Sequence, residues 1–466
     1  MRPASVRGRR GRAPRTSEEA AEMSRALTTD LYEVTMALSY VHEGMTAPAT
    51  FSLFVRDLPR ERGFLVAAGL DSVLEYLSGF RVRPEDVAAF ADLLHRPRGD
   101  LTPLQGTGFD GEVRAVPEGR IAFGGEPLLE VTAPLPQAQL VESYVLNQLS
   151  HQTAIASKAA RCVLAADGRS VVDFSLRRSQ GIEAAMKAAR LGAMVGFTAT
   201  SNVAAAHKYG LTATGTMAHS YVEAFRDEES AFRAFAATHP GPVTFLVDTY
   251  DTVAGTVTAA RVLKELGPPP GCAIRLDSGD LAALAVITRR VLDESGLPDV
   301  RIVASGGLDE YRIEELVRAG APIDTYAVGT RVGVSADAPY LDSAYKLVAY
   351  DGRPVMKLST AKVTAPGPKQ VIRHPGCADV IALRDEEVPP GAEPLLVTVM
   401  SHGRRTSKPE PLAWAHARFT ADLAALPHNA RRVHGPVAPR VTRSPALEEL
   451  TRRVRRRIED DVLATT

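Results

Sequence analysis

Apolar positions change their rhythm several times along the chain, and each rhythm predicts a different kind of element. From Leu31 to Val41 they recur at helical spacing, with Thr28 or Thr29 placed as the N-cap. Thr50–Val55 (TFSLFV) alternates like a strand. Phe64–Leu77 and Val87–Leu94 read as helices, and Gly111–Leu135 as short strands broken by Gly and Pro. From Gln137 to Ala166 the spacing is helical throughout, with Ala138, Leu140, Val141, Tyr144, Val145 and Leu149 forming the apolar stripe.

Past Ala166, strand-like runs alternate with Ala-rich helical runs. The strands are expected at Val171–Leu176, Phe197–Thr200, Leu211–Thr216, Val243–Val247, Ala273–Leu276, Arg301–Ala304 and Thr325–Val328. The helices between them are expected at Gly181–Leu191, Val253–Leu266, Leu281–Glu294 and Glu310–Ala319. This alternation predicts parallel β/α units, and so many strands in succession favour a barrel over an open sheet. Short strands return at Lys346–Tyr350, Pro354–Ser359, Gln370–Arg373 and Leu395–Val399, where they could complete the sheet begun near the N-terminus. Leu447–Val462 is an arginine-rich helix, read as a solvated face or a subunit contact. The organisation expected is a basic arm (1–22), a mixed α/β domain (23–136 with 345–420), an α/β barrel (137–344) and a C-terminal tail with a helix (421–466).

Composition narrows the function classes. The 466 residues suffice for two or three domains. A formal net charge of +0 argues against a nucleic-acid or membrane-surface partner. No apolar run is long enough to span a bilayer. Cys162, Cys272 and Cys377 are far apart, which suits buried reduced thiols in a cytoplasmic protein better than a disulfide framework or a zinc site. Met1 to Thr16 is rich in Arg, Gly and Pro and lacks both apolar periodicity and an h-region; it reads as a disordered arm, not a secretory signal.

In a parallel barrel the chemistry sits where strands end. Here they end in DFSLRR, SN, GTMAHS, DTYD, RLDSGD, SGG and VGT. His219 is the candidate reactive group, and Asp248, at the end of the next strand, could orient its ring. Arg275 suits an anionic substrate. Asp277 and Asp280 could hold Mg²⁺ on a substrate's phosphates, although Asp280 could equally be the N-cap of the helix at Leu281. Ser305-Gly306-Gly307 and Gly329-Thr330, on the last two strands, fit a phosphate site. Strand alternation would turn one of Arg177 and Arg178 inward, and Arg177 is favoured. Tyr32 could stack on a flat ring or pack in the core.

In order, TDLYEVTMA, VLNQLSHQT, DFSLRR, GTMAHS, DTYDT, RLDSGDL, SGG and VGTRVGVS resemble nicotinate phosphoribosyltransferases, from about Thr28 to Lys362. The resemblance implies an irregular α/β barrel of the type II phosphoribosyltransferase kind beside a mixed α/β domain built from both chain ends. It implies transfer of phosphoribosyl from phosphoribosyl pyrophosphate to nicotinate, giving nicotinate mononucleotide and pyrophosphate, the first step from nicotinate to NAD. It also implies Mg²⁺, coupling to ATP hydrolysis through a phosphohistidine at His219 oriented by Asp248, and a homodimer with Tyr32 reaching a shared site. Tyr32, Arg177, Thr216 and Arg275 match positions that contact the base, Ser305 to Gly307 and Gly329-Thr330 the loops that hold the sugar phosphate, and Asp277 the acid near the ribosyl centre.

Amide-using relatives resemble the chain too, but carry an aspartate near Ser201; Thr200-Ser201-Asn202 has no charge to repel a carboxylate, which favours the acid substrate. A quinolinate enzyme would need more basic groups. A non-catalytic ligand-binding protein would not need His219, Asp248 and Asp277, and an aldolase would want a strand-end lysine, which is missing.

Overall fold

The computed structural model describes residues 24–359 and 364–463; the basic arm expected at 1–22 lies outside the described residues. An antiparallel sheet of seven strands runs in the order Arg353–Pro354, Ser343–Tyr350, Pro48–Val55, Pro127–Pro134, Glu112–Ala115, Val397–Ser401 and Arg404–Arg405. Both ends of the chain therefore build it. At its centre Phe51 stacks on Tyr345 with ring centroids 4.7 Å apart. TFSLFV keeps its alternation, yet both faces are buried. Its polar face is satisfied internally: the Thr50 and Thr132 hydroxyls pair at 3.0 Å and Ser52 donates to Glu130. The backbone N–H of Lys369, from a separate four-stranded sheet, donates to the same Glu130 carboxylate.

The helix Glu142–Ala165 crosses from one core to the other. Val145 and Leu149 pack in the core of the antiparallel sheet, whereas Ile155, Ala159 and Cys162 pack in that of the parallel one. Small side chains over its second half allow this close burial.

The parallel sheet has the order Ala199–Thr200, Ser170–Asp173, Thr325–Val328, Arg301–Ala304, Ala273–Leu276 and Thr244–Leu246. Helices Ile182–Met194, Thr252–Leu266, Leu281–Glu294 and Glu310–Arg318 cover it. Leu211–Thr216 does not form the expected strand: a single bridge joins Thr200 to Ala213. The run is TATGT after Leu211, mostly exposed, with no apolar side chain larger than that of Ala213 to bury on either face. The barrel is therefore irregular, a curled half-barrel.

Other boundaries move for local reasons. The helix expected from Phe64 starts at Leu70, because Gly69 sits at φ +98 and a short strand Leu65–Val66 precedes it. Asp30, not Thr28 or Thr29, occupies the N-cap of Leu31–His42. Strand Val171–Leu176 stops at Asp173, and Pro354–Ser359 is reduced to Arg353–Pro354. Among the described residues no helix is long and apolar enough to cross a membrane. The three cysteines are free and buried.

Candidate active site

Arg275, the third residue of strand Ala273–Leu276, is 8% exposed and lies at the centre of the site. Its Nε donates to Ser305 Oγ at 2.8 Å, Nη1 to Thr216 Oγ1 at 2.9 Å, and Nη2 to Asp277 Oδ1 at 2.6 Å. Nη1 also reaches the Met217 carbonyl at 3.3 Å. The guanidinium lies 5.5 Å from the centre of the Phe174 ring. One planar fork thus joins two strand ends, at Asp277 and Ser305, to the loop that carries Thr216.

Asp277 is half-buried. Burial opposes its ionisation, but hydrogen bonds from Ser305 and Arg275, with the charges of Arg275 and His219, outweigh it and hold the carboxyl below its usual range. Its backbone N–H donates to Asp248 Oδ2 at 3.0 Å, and Ser278 Oγ donates to the same oxygen at 2.6 Å. Asp248 Oδ1 is buried with no hydrogen-bond partner. The expected pairing of Asp248 with His219 is not what the structure shows: the imidazole Nδ1 meets Thr249 Oγ1 at 3.2 Å. Consecutive residues leaving a strand point to opposite sides, so either Asp248 or Thr249, not both, can face the ring.

Asp280 accepts from the Ala282 and Ala283 N–H groups and is the N-cap of Leu281–Glu294. Among the described residues no group of three or more His, Cys, Asp or Glu side chains is placed to hold a metal ion. With Asp277 Oδ1 and Asp280 Oδ1 already engaged, the donor set fits Mg²⁺ only as an ion brought by a substrate's phosphates.

Gly306 has φ +89, and a Cβ there would lie 1.7 Å from the Asp277 carbonyl oxygen; the loop is pressed against Asp277. Around Gly307 there is open space. Gly329-Thr330 follows strand Thr325–Val328 beside Phe174, whose N–H donates to the Val328 carbonyl at 2.7 Å. The structure thus gathers Thr216, Arg275, Asp277 and Ser305–Gly307, with His219 near the charge of Asp277.

Two expected residues stand apart. Arg177 and Arg178 lie on a 3-10 turn, Leu176–Arg178, and both are exposed, so strand alternation does not choose between them. Tyr32 is exposed on the first helix, in a cavity of about 1280 Å³ also lined by Glu142, Ser343 and Lys208. Sequence reasoning did not select Phe174, inside the DFSLRR run, or Thr249, the neighbour of Asp248. It also missed a cavity of about 320 Å³ lined by Arg56, Lys346, Lys357, Lys369 and Arg443 with Asp57, in which Arg56 is paired with Asp342 and Lys369 with Glu130.

Two family models match the chain: the nicotinate phosphoribosyltransferase N-terminal domain over residues 27–150, and the nicotinate phosphoribosyltransferase family over residues 169–361. Nicotinate phosphoribosyltransferase pncB2 of Mycobacterium tuberculosis is 48% identical over 406 residues, covering 85% of this chain and 87% of the relative. The nicotinate phosphoribosyltransferase of Bacillus subtilis is 43% identical over 380 residues, covering 78% of this chain and 77% of its own. The crystal structure of human nicotinic acid phosphoribosyltransferase superposes with a TM-score of 0.81 at 29% identity, over 91% of this chain and 99% of that one. The half-barrel beside a mixed domain is the type II phosphoribosyltransferase fold, and the chain belongs to the nicotinate phosphoribosyltransferase family.

Proposed function

We propose that the chain transfers phosphoribosyl from phosphoribosyl pyrophosphate to nicotinate, releasing nicotinate mononucleotide and pyrophosphate, the entry step from nicotinate to NAD. The observation that carries this is the Arg275 fork, which gathers Asp277 and Ser305 from strand ends and Thr216 from the loop before His219 in a member of this family. The nicotinate ring nitrogen attacks the anomeric carbon as the bond to pyrophosphate breaks. Positive charge develops on the sugar, and the ionised Asp277 is the carboxylate placed to stabilise it. The open space at Gly307 leaves room for the 5′-phosphate, with Gly306 pressing the loop against Asp277, Ser305 as a hydroxyl at the loop's start and Gly329-Thr330 as the second loop. Asp277 and Asp280 are the carboxylates that would meet a Mg²⁺ carried on the sugar pyrophosphate, and such an ion would neutralise charge on the leaving pyrophosphate.

Arg275 and Thr216 are assigned to the nicotinate carboxylate, and Phe174 supplies an aromatic face beside them. No free carboxylate opposes them at Thr200-Ser201-Asn202. The nearby Asp173 is buried and accepts from Thr200 Oγ1 at 2.7 Å and the Ser175 N–H at 2.9 Å. Acid is therefore preferred to amide. Coupling to ATP is assigned to His219. With Nδ1 held by Thr249, Nε2 is the nitrogen that attacks the γ-phosphorus, ADP leaves, and water later hydrolyses the phosphohistidine. The exposed Tyr32 is assigned to the site of a second copy in a homodimer, and Arg177 to the base pocket.

The test is product formation from phosphoribosyl pyrophosphate with nicotinate or nicotinamide, with and without ATP and Mg²⁺, in wild type and His219→Ala. Nicotinate turnover stimulated by ATP, with the stimulation lost in His219→Ala, is expected. Preferential nicotinamide turnover would overturn the substrate assignment, and no turnover of either would overturn the activity.

A further inference from the structure

Behind the two glycine loops lies a set of charges that the reaction described above does not use. Arg62, Lys158, Arg161 and Glu310 are all 3% exposed or less, and the side chain of Asp337 is 6% exposed. Glu310 opens the helix that follows the Ser305–Gly307 loop, and Asp337 lies just beyond Gly329-Thr330 and its short helix. Of the two carboxylates Arg161 meets only Glu310, Nε to Oε1 at 2.9 Å, and its Nη2 donates to the Val433 carbonyl at 2.8 Å. Arg62 meets only Asp337, Nε to Oδ2 at 2.9 Å, and also donates to Ser335 Oγ at 2.6 Å and the Ala154 carbonyl at 2.9 Å. Lys158 holds both carboxylates: its Nζ is 2.5 Å from Glu310 Oε2 and 3.2 Å from Asp337 Oδ1.

We propose that Lys158 is a positioning residue that fixes the spacing of the two phosphate-binding loops by tethering both to the helix Glu142–Ala165. This rests on the reading of those loops as the sugar-phosphate site. The charge arithmetic supports it. Three cations face two carboxylates, so Lys158 is not needed for neutrality: without it, Arg161–Glu310 and Arg62–Asp337 remain as balanced pairs. What its removal takes away is the ammonium that touches both carboxylates, leaving each tied to the helix separately, Glu310 by Arg161 and Asp337 by Arg62, which also donates to the Ala154 carbonyl. The Arg331–Asp309 pair also joins these loops, at 3.0 Å, but the Arg331 side chain is 52% exposed, where an ion pair is weak. A buried ammonium held between two carboxylates resists displacement in a way that a solvated pair does not.

Lys158→Met, Lys158→Arg and Glu310→Gln are compared with wild type by calorimetric titration with ribose 5-phosphate and by kinetics varying phosphoribosyl pyrophosphate and nicotinate separately. In Lys158→Met, the Kd for ribose 5-phosphate and the KM for phosphoribosyl pyrophosphate should rise about tenfold, as expected when loops shift by a fraction of an ångström. The KM for nicotinate should stay within about twofold, and Lys158→Arg should recover most of the loss. If Lys158→Met does not fold, Glu310→Gln must show the same split, because it loosens the first loop from the same ammonium at constant size. Unchanged ribose 5-phosphate affinity in the folded variant, or parallel rises in both KM values with a lowered Tm, overturns the positioning role. Wild-type protein that turns over nicotinate but ignores ribose 5-phosphate overturns the loop assignment and the tether with it. Wild-type protein with neither property overturns the functional reading as well.

Discussion

Arg275 is the residue whose chemistry is hardest to replace. Its hydrogen bonds to Ser305, Thr216 and Asp277 leave from different nitrogens of one plane. A lysine keeps the charge but presents a point donor that cannot span all three. Arg275→Lys should therefore lower kcat/KM by roughly two to three orders of magnitude, the scale of losing a preorganised donor at a reacting centre. Steady-state kinetics with folding monitored by circular dichroism checks this; a change under about threefold would show the fork to be dispensable. Gly306 and Gly307 form a second test. Both have positive φ, but only at Gly306 would a Cβ strike backbone, the Asp277 carbonyl oxygen. Gly307→Ala should cost about 1–2 kcal/mol for the left-handed conformation alone, whereas Gly306→Ala should cost several, by urea unfolding, and displace Asp277. Equal costs would mean the close approach is not maintained. Sequence reading found these glycines and the arginine because strand ends announce them. It could not say which of two consecutive residues, Asp248 or Thr249, meets His219, because that depends on the rotation of the chain as it leaves the strand.

Among the elements, long periodic runs were legible and irregular ones were not. Helix Leu281–Glu294 and strands Ala273–Leu276, Arg301–Ala304 and Thr325–Val328 fall where their patterns place them. Leu211–Thr216 fails as a strand because β-branched threonines supply propensity without apolar area to bury. The first helix, Leu31–His42, carries a consequence that periodicity does not reveal. Its Glu33 is fully buried against the helix Glu142–Ala165, accepting from Ser143 Oγ at 2.6 Å and from Thr29. Burial raises its pKa from 4.5 to about 7 against the opposing hydrogen bonds from Ser143 and Thr29, with the charges of Glu142 and Asp30 adding to the rise. A carboxyl with a raised folded-state pKa binds its proton more tightly when folded. Its stabilising contribution is therefore complete below pH 4.5 and is lost as pH rises through about 7. The expected loss is on the order of 2–3 kcal/mol. Urea midpoints measured between pH 4.5 and 8 should fall for wild type and be flatter for Glu33→Gln; identical pH slopes would show that Glu33 is ionised in the folded protein.

At the scale of the whole molecule, the chain beyond residue 361 lies outside both family models, yet it is bolted to the part that lies inside them. Arg373, on strand Lys369–His374, donates to Asp379 through Nε at 3.0 Å and Nη2 at 2.5 Å, and to Asp422 through Nη1 at 3.0 Å. Asp422, on helix Leu412–Ala425, also accepts from the Ile121 N–H and from Arg120 Nε, both at 2.8 Å. Glu126 is buried beside Asp379. Burial above all, and then the Asp379 charge, push its pKa far up, which opposes a third negative charge in a cluster that already holds Asp379 and Asp422. Arg373 is thus the cation on which Asp379 depends, whereas Asp422 retains Arg120. Arg373→Met should strand the Asp379 carboxylate and cost about 3–5 kcal/mol, the scale for breaking a buried pair from one side. Removing the carboxylate as well, in Arg373→Met with Asp379→Leu, should recover part of that loss: the stranded charge is gone, while the Ile121 carbonyl, which accepts from Arg373 Nη2 at 2.8 Å, and the Glu126 carboxyl each lose a partner. Urea unfolding of the wild type and both variants separates the possibilities. A double variant no more stable than the single one would mean that the shape of the Arg373 fork over Phe123, 5.7 Å from the ring centre, holds the C-terminal sheet in place, and its charge does not.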